Sequence, residues 1–377
     1  MIKSENQADI AIVGAGIVGL AHAWMALRKG FRVVLFERDQ YAVGASVRNF
    51  GLIWPIGQRP HDGLDMALRS REHWLDVAAR AGLWINPNGS LHVGHHQDEW
   101  EVLHEFVSLH AGAGFEMELL SREESLKRSE ILNPHGLLGS LWSRTECTVN
   151  PLQAIRRIPL WLQEEWGLQY RPGQQVQGIA MPHIETSQEK WQAGKVIICS
   201  GADFQTLYPQ AYRSRNITRC KLQMMKAVES KTKWMGPSLC AGLTLRHYPS
   251  FKDCPSLQKL DSRYDRENSA YKELGIHVLL SQNNDGELII GDSHAYGLTH
   301  EPFDSTLIDS IILDYLKKFV SIADFKITTR WHGIYPKLPD ENFWVEEVEP
   351  DVTIVNGLGG AGMTLSFGLA ENVMAGY

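Results

Sequence analysis

The chain has 377 residues, 44% of them hydrophobic and 21% charged, which is typical of a globular protein long enough for two domains. A formal net charge of -7 excludes a general affinity for nucleic acid or anionic lipid, so any anion site has to be local. The five cysteines are widely spaced and form no C-x-x-C pair, which excludes a disulfide framework and a cysteine-based zinc site and favours a cytoplasmic location.

The N-terminal segment predicts a strand, a glycine turn and a helix. Ile10–Val13 is a short apolar strand, a helix follows to about Lys29, and Phe31–Phe36 is a second strand. The turn carries the pattern G-x-G-x-x-G, whose glycines let the backbone approach a pyrophosphate at the positive helix N-terminus. Glu37 follows at about the 20-residue spacing at which a carboxylate binds a ribose hydroxyl. The predicted dinucleotide-binding residues of this segment are Gly14, Gly16, Ile17, Val18, Gly19, Glu37 and Arg38.

The same segment has no formal charge from Ile10 to Leu27, which is about the length of a membrane-spanning helix. It is interrupted by glycines and is not preceded by the basic region of a signal peptide. The strand-turn-helix interpretation explains the glycines and Glu37, whereas a membrane span explains neither. We therefore expect no membrane association.

Glycines mark loops or strand ends at three further places. Gly44–Gly51 is a loop with polar side chains, and Lys195–Ala202 is an apolar strand that ends at a glycine. Near the C-terminus, Val352–Val355 predicts a strand, residues 356–362 a glycine loop and Met363–Met374 a helix. Nucleotide-binding elements at both ends of the chain indicate a long cofactor, which favours FAD over NAD. An NAD-linked dehydrogenase is the alternative, and a bound yellow chromophore would exclude it.

The middle of the chain has a different pattern. Leu152–Trp166 is an amphipathic helix, and Leu307–Val320 is another. Between them, His277–Ser281 and Glu287–Ile290 alternate as strands do. Lys252–Lys272 is polar and weakly patterned, which predicts a long loop and suggests a lid over the site.

These segments together resemble the FAD-dependent D-amino-acid oxidase superfamily, in the branch of glycine oxidase and monomeric sarcosine oxidase. The resemblance covers nearly the whole chain. It is carried by the N-terminal glycines and by Gly44–Gly51, Val149–Pro151, Ile197–Ala202, Trp331–Asp340 and Gly357–Glu371. Three segments, Ala45–Gln58, Lys221–Met225 and Gly286–His294, are also similar to a subgroup proposed to oxidise aminophosphonates.

The resemblance implies an α/β (α+β overall) fold with two interleaved domains. A Rossmann-like FAD-binding domain would comprise residues 1–85, 146–212 and 325–377. A substrate domain built on an antiparallel sheet would comprise residues 86–145 and 213–324.

The resemblance also implies how the cofactor is held. Ser46, Arg48 and Asn49 would lie along the pyrophosphate and the flavin, while the last glycine loop would stabilise negative charge on the reduced ring. Gly333 occupies the position of the cysteine that links flavin covalently in sarcosine oxidase, so the expected FAD is non-covalent. The full set of further cofactor residues is Ser46, Arg48, Asn49, Gly51, Val176, Gly201, Gly359, Gly360, Ala361, Gly362, Met363 and Thr364.

For the substrate, the resemblance implies a small anionic amine. Thr364 stands where sarcosine oxidase has its carboxylate-binding lysine, which disfavours a plain amino acid. The predicted catalytic residues are His294, Arg330, Tyr335 and Trp54. Arg330 would grip an oxyanion and His294 would pair with a phosphonate or take the ammonium proton.

Each of these residues also has a structural interpretation, because arginines pair across interfaces and tryptophans and lone histidines fill cores. Arg219 and Lys221 are further candidate anion partners. The remaining histidines, including the cluster His92, His95 and His96, lack acidic or cysteine partners at ligand spacing, so we expect no metal.

The expected reaction is oxidation of a C–N bond to an imine, which water hydrolyses, with O2 or another acceptor taking the electrons. Aminophosphonates are favoured, and a glycine, sarcosine or D-amino-acid oxidase is the alternative. A non-catalytic flavoprotein subunit is an alternative of another class. The sequence leaves the oligomeric state open, a homo-oligomer included.

Overall fold

The computed structural model describes residues 6–229, 234–322 and 324–377. In chain order its strands are β1 (Gln7–Val13), β2 (Val33–Glu37), β3 (Leu52–Ile53), β4 (Ile85–Asn86), β5 (Ser90–Gly94), β6 (Met117–Ser121), β7 (Gly139–Ser143), β8 (Cys147–Val149), β9 (Gln169–Pro172), β10 (Val176–Ala180), β11 (His183–Thr186), β12 (Lys190–Ile198), β13 (Thr218–Glu229), β14 (Ser238–Cys240), β15 (Leu279–Gln282), β16 (Leu288–Gly291), β17 (Ala295–Gly297), β18 (Phe325–Lys337), β19 (Trp344–Glu349) and β20 (Val352–Asn356).

The helices in chain order are α1 (Ile17–Arg28), α2 (Asp62–Ala81), α3 (Gln97–Leu109), α4 (Arg122–Arg128), α5 (Pro151–Trp166), α6 (Pro209–Ser214), α7 (Gly242–Leu245), α8 (Leu257–Glu267), α9 (Ala270–Glu273), α10 (Thr306–Phe319) and α11 (Gly362–Ala375). Single turns of 3-10 helix lie at Ala45–Val47, Pro55–Gly57, Pro249–Phe251 and Gly359–Ala361. None of the helices in the described part of the chain is long and apolar enough to cross a membrane.

The first sheet has a parallel centre in the order β20-β12-β1-β2-β9, with β10, β11 and β19 added antiparallel. Its central strands read as nearly continuous apolar runs because layers of packing cover both faces. On one face, α1, α2, α5 and α11 bury a core around Trp24, Trp74 and Phe367. The opposite face buries Phe36, Trp191 and Trp344.

The second sheet is mostly antiparallel, in the order β17-β13-β16-β15-β14-β5-β7-β6, with β18 paired along nearly the whole of β13. Its core includes Val102, Phe106, Leu280 and Tyr315, contributed by α3, β15 and α10. A small third sheet joins β3, β8 and β4. The predicted fold class, a Rossmann-like sheet interleaved with an antiparallel one, is confirmed.

The two sheets draw their strands from alternating parts of the chain. The first uses strands within residues 7–37, 169–198 and 344–356, and the second uses strands within 90–143 and 218–337. β18 therefore lies in the second sheet, although the predicted division assigns residues 325–337 to the FAD-binding domain. The domain boundaries themselves stay a prediction.

The expectation of a long loop over Lys252–Lys272 is wrong, because α8 and α9 occupy most of this segment. Leu260 and Tyr264 bury one narrow face of α8, so its apolar pattern is weak. Ion pairs support its polar face: Arg263 Nε lies 2.7 Å from Asp98 of α3. The segment packs as part of the domain core and is not a free lid.

Candidate flavin and substrate site

The turn after β1 can be formed only with glycines. Gly14 has a φ of +102°, and a Cβ atom there would lie 2.5 Å from the carbonyl oxygen of Cys199, the residue that follows the neighbouring strand β12. A Cβ atom at Gly19 would overlap the carbonyl oxygen of Gly14. The glycines therefore bring β1, β12 and the start of α1 together closely enough for the backbone itself to face a ligand.

Glu37 and Ser46 complete this end of the site. The buried Glu37 carboxylate accepts hydrogen bonds from the backbone N–H groups of Ala15 (3.0 Å) and Asp39 (3.1 Å). The hydroxyl of Ser46 accepts from the N–H of Ile17, the first residue of α1, at 3.0 Å. Acceptor oxygens thus already stand at the helix N-terminus, where phosphate oxygens are favoured.

A cavity of about 640 Å³ extends from this turn between the two sheets. Its volume falls within the range of ligand pockets, about 300–1,000 Å³. Backbone of the turn after β1 and of the C-terminal glycine loop lines one part, and polar residues of the loop after β2 continue the wall. A long, glycine-lined cavity with backbone N–H groups, a buried carboxylate and an arginine fits the donors and acceptors of a dinucleotide.

Most of the predicted cofactor residues line this cavity. They are Gly14, Gly16, Ile17, Val18, Glu37, Arg38, Ser46, Arg48, Asn49, Val176, Gly201, Gly359, Gly360, Gly362 and Met363. The predicted residues that are not in the wall are Gly19, Gly51, Ala361 and Thr364. Gly19 and Gly51 act through packing instead, since a Cβ atom at either would collide with a backbone carbonyl oxygen.

Thr364 is buried in the first turn of α11 and is not among the residues that line the cavity. Its hydroxyl accepts a hydrogen bond from the backbone N–H of Trp54 at 2.9 Å. Trp54 is itself buried, with its ring 5.5 Å from that of His92 and 6.2 Å from that of Tyr248. Neither residue is part of the cavity wall, and the catalytic role of Trp54 stays a prediction.

Arg330 and Tyr335, both predicted to be catalytic, lie on opposite faces of β18. Tyr335 and Gly333 line the cavity, whereas Arg330 Nε binds Asp309 of α10 at 2.8 Å. His332, two residues along, similarly binds Asp304 at 3.0 Å. Side chains alternate between the faces of a strand, so Arg330 is directed away from the cavity.

Lys337, at the end of β18, lies beside the C-terminal glycine loop. Its Nζ atom would be 3.7 Å from a Cβ atom at Gly359. Burial lowers the pKa of Lys337. Tyr335 nearby is affected in the opposite sense: burial, then the neighbouring Cys220, hold the pKa of its hydroxyl well above its usual range.

Sequence reasoning missed a group of side chains at the end of the cavity away from the glycine turn. His294 was predicted there, and the fold adds His247, His277, Tyr248 and Asp292. The Nδ1 atom of His277 lies 3.0 Å from Asp292 Oδ1, and that of His294 lies 2.9 Å from the carbonyl oxygen of Gly275.

Electrostatics differ within this group. Desolvation lowers the pKa of His277, against the opposing effect of its bond to Asp292. Desolvation, with a contribution from His277 and His294, also holds the pKa of His247 well below its usual value. The three histidines come from separate segments, so no local spacing in the sequence could have grouped them. Only His294 was indicated, by the resemblance of Gly286–His294 to the aminophosphonate-oxidising subgroup.

Comparisons with known proteins agree with this arrangement. The chain is similar to a subunit of opine oxidase from Agrobacterium tumefaciens (strain Ach5), with 24% identity over 361 residues, which is 89% of this chain and 83% of that protein. Its fold is similar to glycine oxidase from Geobacillus kaustophilus (TM-score 0.78, 18% identity, 98% and 94% of the two chains).

It is also similar to L-alpha-glycerophosphate oxidase from Mycoplasma pneumoniae with FAD bound (TM-score 0.75, 18% identity, 98% and 95% of the chains). The sequence model of the DAO family, described as FAD dependent oxidoreductase, matches residues 9–375. The match spans both sheets and the whole cavity wall, and it confirms the superfamily and the cofactor expected from the sequence. The chain belongs to the DAO family of FAD-dependent oxidoreductases, and its cofactor is FAD.

Proposed function

We propose that the protein oxidises the C–N bond of a small anionic amine, with aminophosphonates as the favoured class. The substrate carbon loses a hydride and the nitrogen a proton, and water hydrolyses the resulting imine to an aldehyde or keto product. FAD, when bound, accepts the two electrons of the hydride and passes them to O2, which becomes H2O2. We also propose that the FAD is held without a covalent bond.

The proposal rests on one observation: the same cavity offers groups that suit a dinucleotide and groups that suit an amine. The glycine-lined part offers backbone groups to a dinucleotide, and the same wall continues to Asp292, His277 and His294. A carboxylate oxygen and an imidazole nitrogen that carries no hydrogen are acceptors suited to an amine. The relatives named opine oxidase and glycine oxidase are consistent with an amino compound as substrate.

An anionic group on the substrate is supported by Arg48. Its guanidinium lines the cavity and donates to the carbonyl oxygen of His332 at 3.2 Å, and no carboxylate among the described residues pairs with it. Arginine binds carboxylate and phosphonate oxygens in a bidentate manner. A guanidinium without a carboxylate partner in a cavity wall therefore favours a ligand with negative charge.

The preference for a phosphonate rests on the segments that resemble the aminophosphonate-oxidising subgroup. Each of them contributes to the wall: Arg48 and Phe50 from the first, Leu222 and Met224 from the second, and Asp292 and His294 from the third. All three segments thus reach the cavity in which we propose that the substrate binds.

The test is an anaerobic mixing experiment with the purified yellow protein. Glycine, sarcosine, D-alanine, an N-carboxyalkyl amino acid of the opine class, and 2-aminoethylphosphonate with its N-methyl derivative would each be added. Loss of the long-wavelength flavin absorbance is followed, because only a bound reductant bleaches the flavin. Bleaching by the aminophosphonates at least tenfold faster than by the others is expected.

Equal or faster bleaching by glycine, sarcosine or the opine would assign the chain to amino-acid or opine oxidation instead. Protein that stays yellow with every amine would favour a non-catalytic flavoprotein subunit. Acid precipitation of the same preparation tests the flavin linkage: the colour is expected in the supernatant, and colour in the pellet would contradict non-covalent binding.

A further inference from the structure

The end of the cavity away from the glycine turn holds three histidines that converge from different segments. His247 follows α7, His277 precedes β15, and His294 follows β16. One ring nitrogen from each lies within 4.8 Å of the others. The ring centroids are 4.1 Å apart for His247 and His277, 4.7 Å for His247 and His294, and 5.9 Å for His277 and His294.

Hydrogen bonds fix the state of two of these rings. The partners of Nδ1 in His277 and His294 are a carboxylate and a backbone carbonyl, neither of which donates a hydrogen, so Nδ1 carries the hydrogen in both. In the neutral rings Nε2 then bears a lone pair. His277 Nε2 is buried without a hydrogen-bond partner, and the nearest acidic oxygen to His294 Nε2 is Asp292 Oδ1, at 3.8 Å.

This pattern is the one that metal-binding histidines show. A ligating histidine almost always donates its second ring N–H to a carboxylate or a backbone carbonyl, which orients the ring and makes the other nitrogen a better ligand. A buried lone pair without a donor costs free energy unless a Lewis acid or a hydrogen-bond donor is nearby. The orphaned Nε2 atom of His277 thus points independently to a ligand.

We propose that His247, His277 and His294 bind a divalent transition-metal ion of the imidazole-preferring class represented by Zn²⁺, with a fourth position open to the cavity. Three protein ligands and one open position are the arrangement of zinc sites that bind a further molecule. The expectation of no metal rested on the spacing of histidines along the sequence, whereas the fold brings together three histidines from separate segments.

Coordination requires a modest rearrangement. Nitrogens bound to Zn²⁺ at about 2.1 Å lie about 3.4 Å apart in a tetrahedral site, closer than the outer limit of the present separations. His277 and His294 are held by their Nδ1 bonds, and His294 also packs against Gly275. His247 is exposed to the cavity, and neither of its ring nitrogens has a hydrogen-bond partner in the described ranges. The His247 ring is stacked on those of His277 and His294. Its rotation would bring a ring nitrogen to the distance that coordination requires.

The ion would add to the positive charge that Arg48 brings to the cavity wall. Thr364 lies outside the cavity wall and Arg330 is paired with Asp309 on the far face of β18. An ion at the three histidines would bind an oxygen of the substrate's phosphonate or carboxylate group, while Asp292 balances part of its charge. This role rests on the proposed function, whereas metal binding itself does not.

The first measurement is the metal content of the holoenzyme, purified without a histidine tag, by inductively coupled plasma mass spectrometry. Calorimetric titration with ZnCl2 after treatment with a chelator follows. About one ion per chain is expected, and H277A and H294A should lose it. The Asp292→Asn variant should bind Zn²⁺ about 10–100-fold more weakly, the usual effect of removing a carboxylate behind a ligating histidine.

His247→Ala is included as a variant that should still fold. Its side chain faces the open cavity, so its removal leaves no buried space. His332→Ala is the matched control, since His332 is also paired with an aspartate but lies on the far face of β18, and it should bind Zn²⁺ like the unaltered protein.

A holoenzyme without metal that gives no heat with ZnCl2 would overturn the proposal, as would unchanged binding in both H247A and H277A. Flavin bleaching is scored separately. Metal binding without bleaching by aminophosphonates would refute only the proposed substrate, and bleaching without metal binding would refute only the metal.

Discussion

The two ends of the cavity are built in different ways. At the glycine end, the recognising groups are mostly backbone atoms of consecutive residues, and Glu37 and Ser46 bind the same backbone. At the histidine end, they are side chains from three separate segments, oriented by Asp292 and by a backbone carbonyl. Backbone recognition fixes which residues can occupy the turn, whereas the side-chain end can change its ligand by single substitutions while the sheets stay intact.

The largest effect is expected at the glycine end, from Gly14→Ala. A side chain at a φ of +102°, with its Cβ atom 2.5 Å from the Cys199 carbonyl oxygen, must displace β1 from β12. Strain of about 1–3 kcal/mol, together with the collision, predicts FAD binding weaker by about 100-fold. The flavin content per chain and the dissociation constant of FAD measure it. Gly178→Ala in β10, where a Cβ atom meets nothing, is the control and should keep its flavin.

On the cavity wall beside Gly333, Arg48→Gln tests the proposed binding of an anionic group. Loss of a charge-assisted hydrogen bond of about 1.5–3 kcal/mol predicts a KM for the anionic amine that rises about 10–100-fold. Arg330→Gln is matched to it, because Arg330 is half exposed and paired on the other face, and its KM should change less than about twofold. Steady-state kinetics of flavin-loaded protein decide between them, and an equal rise in both variants would contradict the assignment.

Glu37→Gln should have an intermediate effect. The amide has one acceptor oxygen where the carboxylate offers two, so the N–H of Ala15 or of Asp39 loses its partner. About one hydrogen bond is lost, which predicts FAD binding weaker by about tenfold with little change in the KM of the amine. Fluorescence titration of apoprotein with FAD measures this. A changed KM with unchanged FAD affinity would break the distinction between the two ends.

The smallest effect concerns Glu146, which is not part of the cavity wall. It is fully buried and accepts hydrogen bonds from Ile56 N–H (3.0 Å) and the Ser90 hydroxyl (3.1 Å). Burial raises its pKa in the folded state, so the folded protein holds this proton more tightly than the unfolded chain. Its contribution to stability is therefore present at low pH and is lost as the pH rises through the folded pKa.

Glu146→Gln should flatten that loss. The stability that the unaltered protein loses amounts to about 1.4 kcal/mol for each unit by which the pKa of Glu146 in the folded protein exceeds that in the unfolded chain. Melting temperatures at pH 5 and pH 8 measure it: the unaltered protein should lose more stability between these values than E146Q does. A steeper loss in E146Q would reverse the sign assigned to this carboxyl group.

The glycine end could be predicted because its physics is local. The turn, Glu37 and the helix follow one another in sequence, and collision at Gly14 and Gly19 leaves one residue type. The C-terminal loop is predictable for the same reason: its strand was expected at Val352–Val355 and extends over Val352–Asn356.

The histidine end could not be predicted in this way. Whether a residue of β18 faces the cavity depends on its register with β13, which no local pattern of Trp331–Tyr335 reveals. His247 and His277 meet only because α7 lies against the residue before β15, where the Thr244 hydroxyl donates to the carbonyl oxygen of Val278, so their positions in the sequence carry no sign of their proximity. The helix α8 was not predicted because only Leu260 and Tyr264 are buried in it, so its sequence is mostly polar. Its polar face forms an ion pair with α3 instead.

The pairing of β13 with β18 has a consequence for how such an enzyme diversifies. Leu222, Gly333 and Tyr335 face the ligand, while Gln223 and Arg330 on the reverse side bind Asp309 of α10. The same pair of strands therefore presents two sets of side chains. One set lines the cavity and determines which ligand fits, and the other holds the sheet against α10. Mutations in the first can accumulate without weakening the second, so new substrates can be tried while the protein stays folded.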